Sequence, residues 1–228
     1  MPDVNGELPC FNAIILAGGR SSRLDGTPKA LLQVSGRTLL GVALDAAAAA
    51  SAVAVAGPES LSAAVAGAGA DALLVREDPP FSGPAAAVAA ASTALSALDA
   101  RIGRPPPGWT LVLACDMPFI GAAVGTLLAA AAADSQGCAM EGEQPRSLMA
   151  VDESGRAQPL AALYLTADLG AAVRQHDRPG GLENLSMKRL LARVQRRDVA
   201  VPAHSTADID TWEDARRWSV ETGRPADI

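Results

Sequence analysis

The chain has 228 residues, 49% of them hydrophobic and 19% charged, with a formal net charge of −6. That is enough apolar material for a buried core, and it excludes wholesale disorder. Aromatics at 3% and the acidic balance argue against nucleic acid as a partner, because stacking needs aromatic platforms and phosphate backbones select basic surfaces. A small anionic ligand, which needs only a local patch, stays open. No Lys or Arg precedes Arg20, so the basic start of a secretory signal is missing. The alanine-rich stretches are interrupted by Asp45, Ser51 and Ser92, and none is read as the roughly 18 strongly apolar residues of a membrane span. The expectation is a cytoplasmic protein with no membrane partner. Cys10, Cys115 and Cys138 have no CxxC spacing, and His176 and His204 are the only histidines, so no structural zinc site is expected.

In chain order, Phe11–Ala17 is a short apolar run that predicts a strand buried on both faces. It enters the Gly-, Ser- and Arg-rich stretch GGRSSRLDGTPK. Thr38 to about Ala50 predicts a helix after a Ser35-Gly36 turn. Ala52–Ala56 and Ala72–Val75 read as strands, with a short helix Glu59–Ala66 between them. Pro84 suits the first position of a long helix reaching about Leu98. Trp109–Cys115 is a second buried strand, followed by a helix over Gly121–Ala133. Weaker strands are predicted around Gly137–Met140 and Ser147–Val151, with Leu160–Leu165 as their partner. Helices near Thr166–Gln175 and Ser186–Val194 lead to strand Asp198–Val201. A final helix Thr211–Glu221 opens with a Thr211/Asp214 capping box.

This alternation predicts the α/β class: one three-layer α/β/α domain over residues 1–228, its core about 11–221, with a mostly parallel, Rossmann-like sheet. In such sheets ligands bind beyond the carboxyl ends of the strands. That rule selects the loops after Ala17, after Val75 and after Cys115.

The first of these loops carries the strongest chemical signal. Gly18 and Gly19 let the backbone approach a ligand, and successive N–H groups there can cradle phosphate oxygens. Arg20, Arg23 and Lys29 add three cations, which serve either a phosphate or only a solvated loop. Of 19 basic residues only Lys29 and Lys188 are lysines. A lysine surviving such a bias toward arginine suits a place needing a compact point charge. The stretch is neither a P-loop nor a G-x-G-x-x-G fingerprint, which disfavours a dinucleotide dehydrogenase. Asp116, just past the second buried strand, is either a ligand for a hard cation or a helix cap. Asp208 and Asp210 before the last helix offer a second metal ligand or an acid favoured by the helix dipole. Cys115 reads as an inert core thiol.

The run Leu16-Ala17-Gly18-Gly19-Arg20-Ser21-Ser22-Arg23-Leu24 with Lys29-Ala30-Leu31-Leu32 resembles the signature loop of nucleotidyltransferases with the nucleotide-diphospho-sugar transferase-like fold. Cys115-Asp116-Met117-Pro118-Phe119, Gln158-Pro159-Leu160 with Leu163-Tyr164, and Asp210-Thr211 with Glu213-Asp214 resemble the molybdenum cofactor guanylyltransferases in particular. The resemblance runs from about Ile14 to Trp218. It implies transfer of GMP from Mg-GTP to the terminal phosphate of molybdopterin, with release of pyrophosphate. It also implies nucleotide contacts at Leu16, Ala17, Gly18, Gly19 and Asp78, with Lys29 on the phosphates. Arg23, Lys29 and Asp116 are the catalytic set it implies, with Mg²⁺ on Asp116 and, as second ligand, Asp210. Gly83-Pro84 matches the loop bordering the acceptor. Transient contact with other molybdenum cofactor pathway proteins follows from the same resemblance. Two departures stand out: Ala56-Gly57-Pro58 where the family can supply an Asn, and Asp208 and Asp210 where it usually has Asn. The alternatives are a molybdopterin cytidylyltransferase or sugar-phosphate nucleotidyltransferase of the same fold, or a non-catalytic GTP- or pterin-binding protein. Leu-Ala-Gly-Gly, in place of the Leu-Ala-Ala-Gly of cytidylyl relatives, favours guanine.

Overall fold

A computed structural model describes residues 8–19, 24, 27–67, 72–141 and 144–222. Strand β1 (Phe11–Leu16) is followed by β2 (Leu32–Val34), β3 (Arg37–Thr38), helix α1 (Leu39–Ala46) and β4 (Val53–Ala56). Next come α2 (Ser62–Ala66), β5 (Ala72–Val75), α3 (Pro84–Ile102), β6 (Trp109–Ala114) and α4 (Ile120–Glu141). The chain continues through β7 (Ser147–Val151), β8 (Ala157–Leu165), α5 (Thr166–Arg174) and α6 (Met187–Leu190). It ends with β9 (Arg196–Ala200), α7 (Trp212–Arg217) and β10 (Val220–Thr222).

Seven strands form one sheet in the order β5-β4-β1-β6-β8-β7-β9. The first four are parallel, β8 is antiparallel to both its neighbours, and β9 is parallel to β7. Side chains of β1 alternate between faces, as a pleated strand requires. Ala13 and Ile15 join a core with Leu40 and Ala43 of α1 and Val124 and Leu127 of α4. Ile14 faces the opposite core, with Val88 and Leu95 of α3, Leu169 of α5 and Leu190 of α6. The result is the expected three-layer α/β/α arrangement around a mostly parallel sheet.

The register fixes where a ligand can sit. Leu16 lies opposite Ala56 of β4 and Ala114 of β6, and Ala56 lies opposite Val75 of β5. Four strands therefore end level, and their loops crowd one edge.

Besides small shifts of element ends and the helix expected over Ser186–Val194, which shortens to α6, the structure departs from the sequence reading in five places. The Ser35-Gly36 turn does not simply precede a helix: it closes the β2–β3 hairpin, with φ of 49° and 78° at the two central residues. Two left-handed residues in succession suit the twist of a tight hairpin, and glycine takes the second without strain. Helix α1 ends at Ala46, short of Ala50, so that the chain can turn into β4, with Ser51 N–H on the Phe11 carbonyl at 2.8 Å. The expected strand at Gly137–Met140 lies inside α4, since one glycine in a run of good helix formers costs only about 1 kcal/mol and does not end the helix. The last helix stops at Arg217, and Val220–Thr222 becomes an antiparallel partner of β2. Finally, α3 is, by length and composition, long and apolar enough to cross a membrane, which corrects the expectation that no segment is. Half of its most apolar window is buried inside the fold. Its alanines lie against β1 and β4 because small side chains allow close helix–sheet packing.

The last turn of α3 also holds a buried polar knot. Asp99, 2% exposed, accepts hydrogen bonds from Asn12 Nδ2 at 2.9 Å and Arg104 Nε at 2.7 Å. Arg104 Nη1 donates to the Ser51 carbonyl at 2.9 Å. One carboxylate thus joins α3, β1 and the turn entering β4. Removing it leaves a guanidinium and an amide without their partner. Asp99→Ala is expected to lower the unfolding free energy by about 3 kcal/mol or more, read from urea denaturation with an unchanged slope. A loss below about 1 kcal/mol would show the knot to be solvated rather than structural.

Candidate active site

A cleft of about 410 Å³ opens at the level edge of the parallel strands, within the range typical of small-molecule sites. The turn after β1 supplies Leu16, Ala17, Gly18 and Gly19, and the turn after β4 supplies Gly57 and Pro58. The loop after β5 contributes Arg76, Glu77 and Phe81, and the end of β6 contributes Cys115 and Asp116. Pro28, Lys29 and Asp210 close the side toward the small sheet. All three loops selected by the sheet-edge rule therefore meet here.

Two of the backbone groups in the first turn are engaged in the sheet. Ala17 N–H bonds the Ala56 carbonyl at 2.8 Å, and the Leu16 carbonyl accepts from Cys115 N–H at 3.0 Å. These bonds draw the ends of β1, β4 and β6 together. Gly57 permits that closeness: a Cβ there would lie 2.9 Å from Leu61 Cδ1 and 3.4 Å from the Ala17 Cβ.

Lys29, Asp116 and Asp210 meet at the floor. The Lys29 ammonium lies 3.3 Å from Asp116 Oδ2 and is hydrogen-bonded to Asp210 Oδ1. The Lys29 and Asp116 side chains are 21% and 22% exposed, and Asp210 is 48% exposed. Burial opposes the charge on Lys29, but the bond to Asp210 and the charge of Asp116 outweigh it and raise its pKa. Burial pushes the Asp116 carboxyl above the ordinary carboxylate range, against the pull of Lys29 and with a further push from Asp208. Cys115 is buried, and its thiol is pushed far up by the same burial, so it stays protonated and inert.

Each member of the trio is held from a different element. Lys29 starts a one-turn 3₁₀ helix whose next residue, Ala30, is buried. Asp116 follows β6. Asp210 sits just before α7, where the expected capping box forms: Thr211 Oγ1 accepts from Asp214 N–H, and Asp214 Oδ2 accepts from Thr211 N–H at 2.8 Å. Asp214 Oδ2 also accepts from Asp210 N–H at 3.2 Å. Ile209 N–H bonds the Asp116 carbonyl at 3.0 Å, and Trp218 meets Phe119 edge-on with centroids 5.3 Å apart. These contacts fasten the small sheet β10-β2-β3, with α7, to the main one.

Of the residues singled out in the sequence, Leu16, Ala17, Gly18, Gly19, Lys29, Asp116 and Asp210 line one cleft. Asp208 and Asp78 are exposed and do not line it. In the loop after β5 the lining acid is Glu77, whose Oε1 accepts from Phe81 N–H at 2.9 Å. Arg23, like Arg20, Ser21 and Ser22, lies outside the described residues. Arg76, Glu77 and Phe81 had no individual signal; only the polarity of their loop pointed to them. Asp116 and Asp210 converge on one ammonium, which places two carboxylates around a single positive charge. Paired carboxylates with room for substrate oxygens are the donor set that a small hard divalent ion accepts.

Residues 13–198 match the MobA-like NTP transferase domain. The chain belongs to this family. A molybdenum cofactor guanylyltransferase from Rhodopseudomonas palustris strain HaA2 is 31% identical to this MobA-like transferase over 175 residues, 74% of this chain and 73% of the relative. The fold is shared with molybdopterin-guanine dinucleotide biosynthesis protein A from Archaeoglobus fulgidus, at a TM-score of 0.61 and 18% identity, over 91% of this chain and 96% of that one. It is shared as well with a Mycobacterium tuberculosis protein in complex with manganese, at a TM-score of 0.54 and 24% identity, over 92% and 97% of the two chains.

The charge on Asp116 has a cost that can be measured in this MobA-like transferase. A carboxyl whose folded pKa is raised is destabilising when ionised, fully so above that raised pKa and not at all below its ordinary value. Without added metal, Asp116→Asn is therefore expected to melt above wild type at pH 7. The gap should close as the pH falls into the carboxylate range and wild-type Asp116 takes up its proton. A variant that melts below wild type at pH 7 contradicts this assignment.

Proposed function

We propose that this nucleotidyltransferase transfers GMP from Mg-GTP to the terminal phosphate of molybdopterin and releases pyrophosphate. The observation that carries the reading is the Lys29 ammonium set beside Asp116 and Asp210 in a nucleotide-sized cleft under the Leu16–Gly19 turn. The relative from Rhodopseudomonas palustris supports the choice of base and acceptor. A cytoplasmic location, and transient contact with other proteins of molybdenum cofactor synthesis, belong to the same proposal.

A terminal phosphate oxygen of the acceptor attacks the α-phosphorus of GTP. The bond from that phosphorus to the α–β bridging oxygen breaks, and pyrophosphate leaves with the electron pair. The attacking phosphate is already an anion, so no covalent enzyme nucleophile is needed. What the chain must supply is neutralisation of charge and in-line positioning. Lys29 provides a compact positive charge to the triphosphate. The amides of Gly18 and Gly19 supply donors that need no reorganisation during the reaction. Asp116 and Asp210 would hold Mg²⁺, which when bound would offset the phosphate charge. Lys29→Ala and Asp116→Asn are each expected to reduce kcat about 10²–10³-fold, the usual cost of losing one preorganised group. Lys29→Arg should not restore the rate, because a wider planar fork does not fill a point-charge position. Near wild-type turnover in any of these variants, measured as pyrophosphate release, rejects the role given to that residue.

Base choice rests on hydrogen bonding, since the chain has one Tyr, three Phe and three Trp in all. Guanine presents N1–H and N2–H₂ donors beside the O6 acceptor. Glu77 brings a carboxylate to the cleft wall and can accept from both donors, while a backbone amide can face O6. A wrong base leaves such buried groups unpaired at about 1–3 kcal/mol each, which is roughly tenfold to several-hundredfold in kcat/KM. GTP should therefore exceed ATP and CTP, with inosine triphosphate, which lacks the 2-amino group, between GTP and ATP. CTP or ATP ahead of GTP would replace the guanylyl reading with a cytidylyl or sugar-phosphate one.

A further inference from the structure

The Lys29 ammonium stands where a cation would stand. It lies 3.3 Å from Asp116 Oδ2 and bonds Asp210 Oδ1, the two carboxylates whose oxygens suit a divalent ion. Asp116 is largely withdrawn from water, so a pair of neighbouring carboxylates with no counter-charge would be costly. The ammonium relieves that cost. It also blocks a second cation, because two positive charges within a few ångströms of the same oxygens repel one another. The backbone need not move to resolve the conflict. Lys29 is anchored through buried Ala30 and the 3₁₀ turn, while its four-carbon stem lets the head swing. The Leu16–Gly19 turn, expected to cradle phosphate, opens onto the same cleft.

We infer that Lys29 reserves the cation site: its ammonium and a divalent ion exclude one another from Asp116 and Asp210, and an incoming triphosphate frees the pair by drawing the ammonium away. The inference rests on the reading of these two aspartates as metal ligands and of a nucleoside triphosphate as substrate. Its consequence is order. The empty enzyme holds metal weakly, and nucleotide and metal strengthen each other through Lys29, with a coupling that is equal in both directions.

The composition supplies a clean probe, because Lys29 and exposed Lys188 are the only lysines. In protein labelled with ¹⁵N at the lysine side-chain nitrogen, Mg²⁺ added without nucleotide should shift the Lys29 resonance and leave Lys188 in place. In parallel, Lys29→Met and Lys29→Gln should bind Mn²⁺ alone more tightly than wild type, by about 5–150-fold, as counted from free Mn²⁺ by electron paramagnetic resonance. Mn²⁺ should then raise the melting temperature of the variants more than that of wild type. A Lys29 resonance unmoved at saturating Mg²⁺, or Mn²⁺ binding in both variants no tighter than in wild type, overturns the exclusion while leaving the metal site standing. Mn²⁺ binding in no protein, or binding untouched by Asp116→Asn, overturns the metal-ligand reading itself and the exclusion with it.

Discussion

Lys29, Asp116 and Asp210 can share hydrogen bonds only if the chain brings together residues 87 and 181 positions apart. Much of the architecture serves that meeting. The parallel pairing of β1 with β6 sets Asp116 beside the turn after β1, and the small antiparallel sheet delivers the other two charges. The Ile209 amide on the Asp116 carbonyl is the backbone weld between the two units. A cluster of this kind is a poor source of stability, since burying charge costs much of what pairing returns. The cores on either face of the main sheet, built from Ile14, Ile15, Leu111, Val112 and their neighbours, have to carry that load.

The two sheets divide the work. The main sheet contributes a rigid edge where four strands end level, with amides and loop side chains turned toward one space. The small sheet, with its own core of Leu24, Leu32, Leu39, Ile209 and Val220, contributes a lysine from one end of the chain and an aspartate from the other. The backbone around each aspartate is held by bonds of its own, the capping box beside Asp210 and the Ile209 bond at Asp116. Their spacing therefore does not depend on the lysine alone. A side chain that pairs with both can then leave without the site collapsing.

What could be read in the sequence followed local physics. β1 and β6 showed as apolar runs, interrupted only by Asn12 and Thr110, because they are covered on both faces, and the sheet-edge rule then found the loops. Pro84 and the Thr211/Asp214 pair marked helix starts through their backbone and capping chemistry, whereas the cap that Thr38 gives to α1 showed only in the structure. Lys29 and Asp116 stood out as charges at strand ends. What could not be read was non-local. A two-residue strand such as β3 has no periodicity to detect, and Val220–Thr222 becomes a strand only because β2 lies beside it. The bond between Lys29 and Asp210 has no trace in either local sequence. Glu77 and Asp78 are adjacent acids, and only the path of the loop after β5 turns the first toward the cleft and the second to solvent.

The pairing of β2 with β10 has a consequence for how the molecule comes into being. During synthesis β2 emerges long before Val220–Thr222 exist to flank it, and a two-stranded hairpin is marginal in water without a third strand or a helix to cover it. The main sheet can start to condense from β1, β4, β5 and β6, whose contacts are closer in sequence. The floor of the cleft has to wait for α7 and β10. Asp116 and Asp210 can therefore face one another only once the segment leading into α7 has been made and docked on the end of β6.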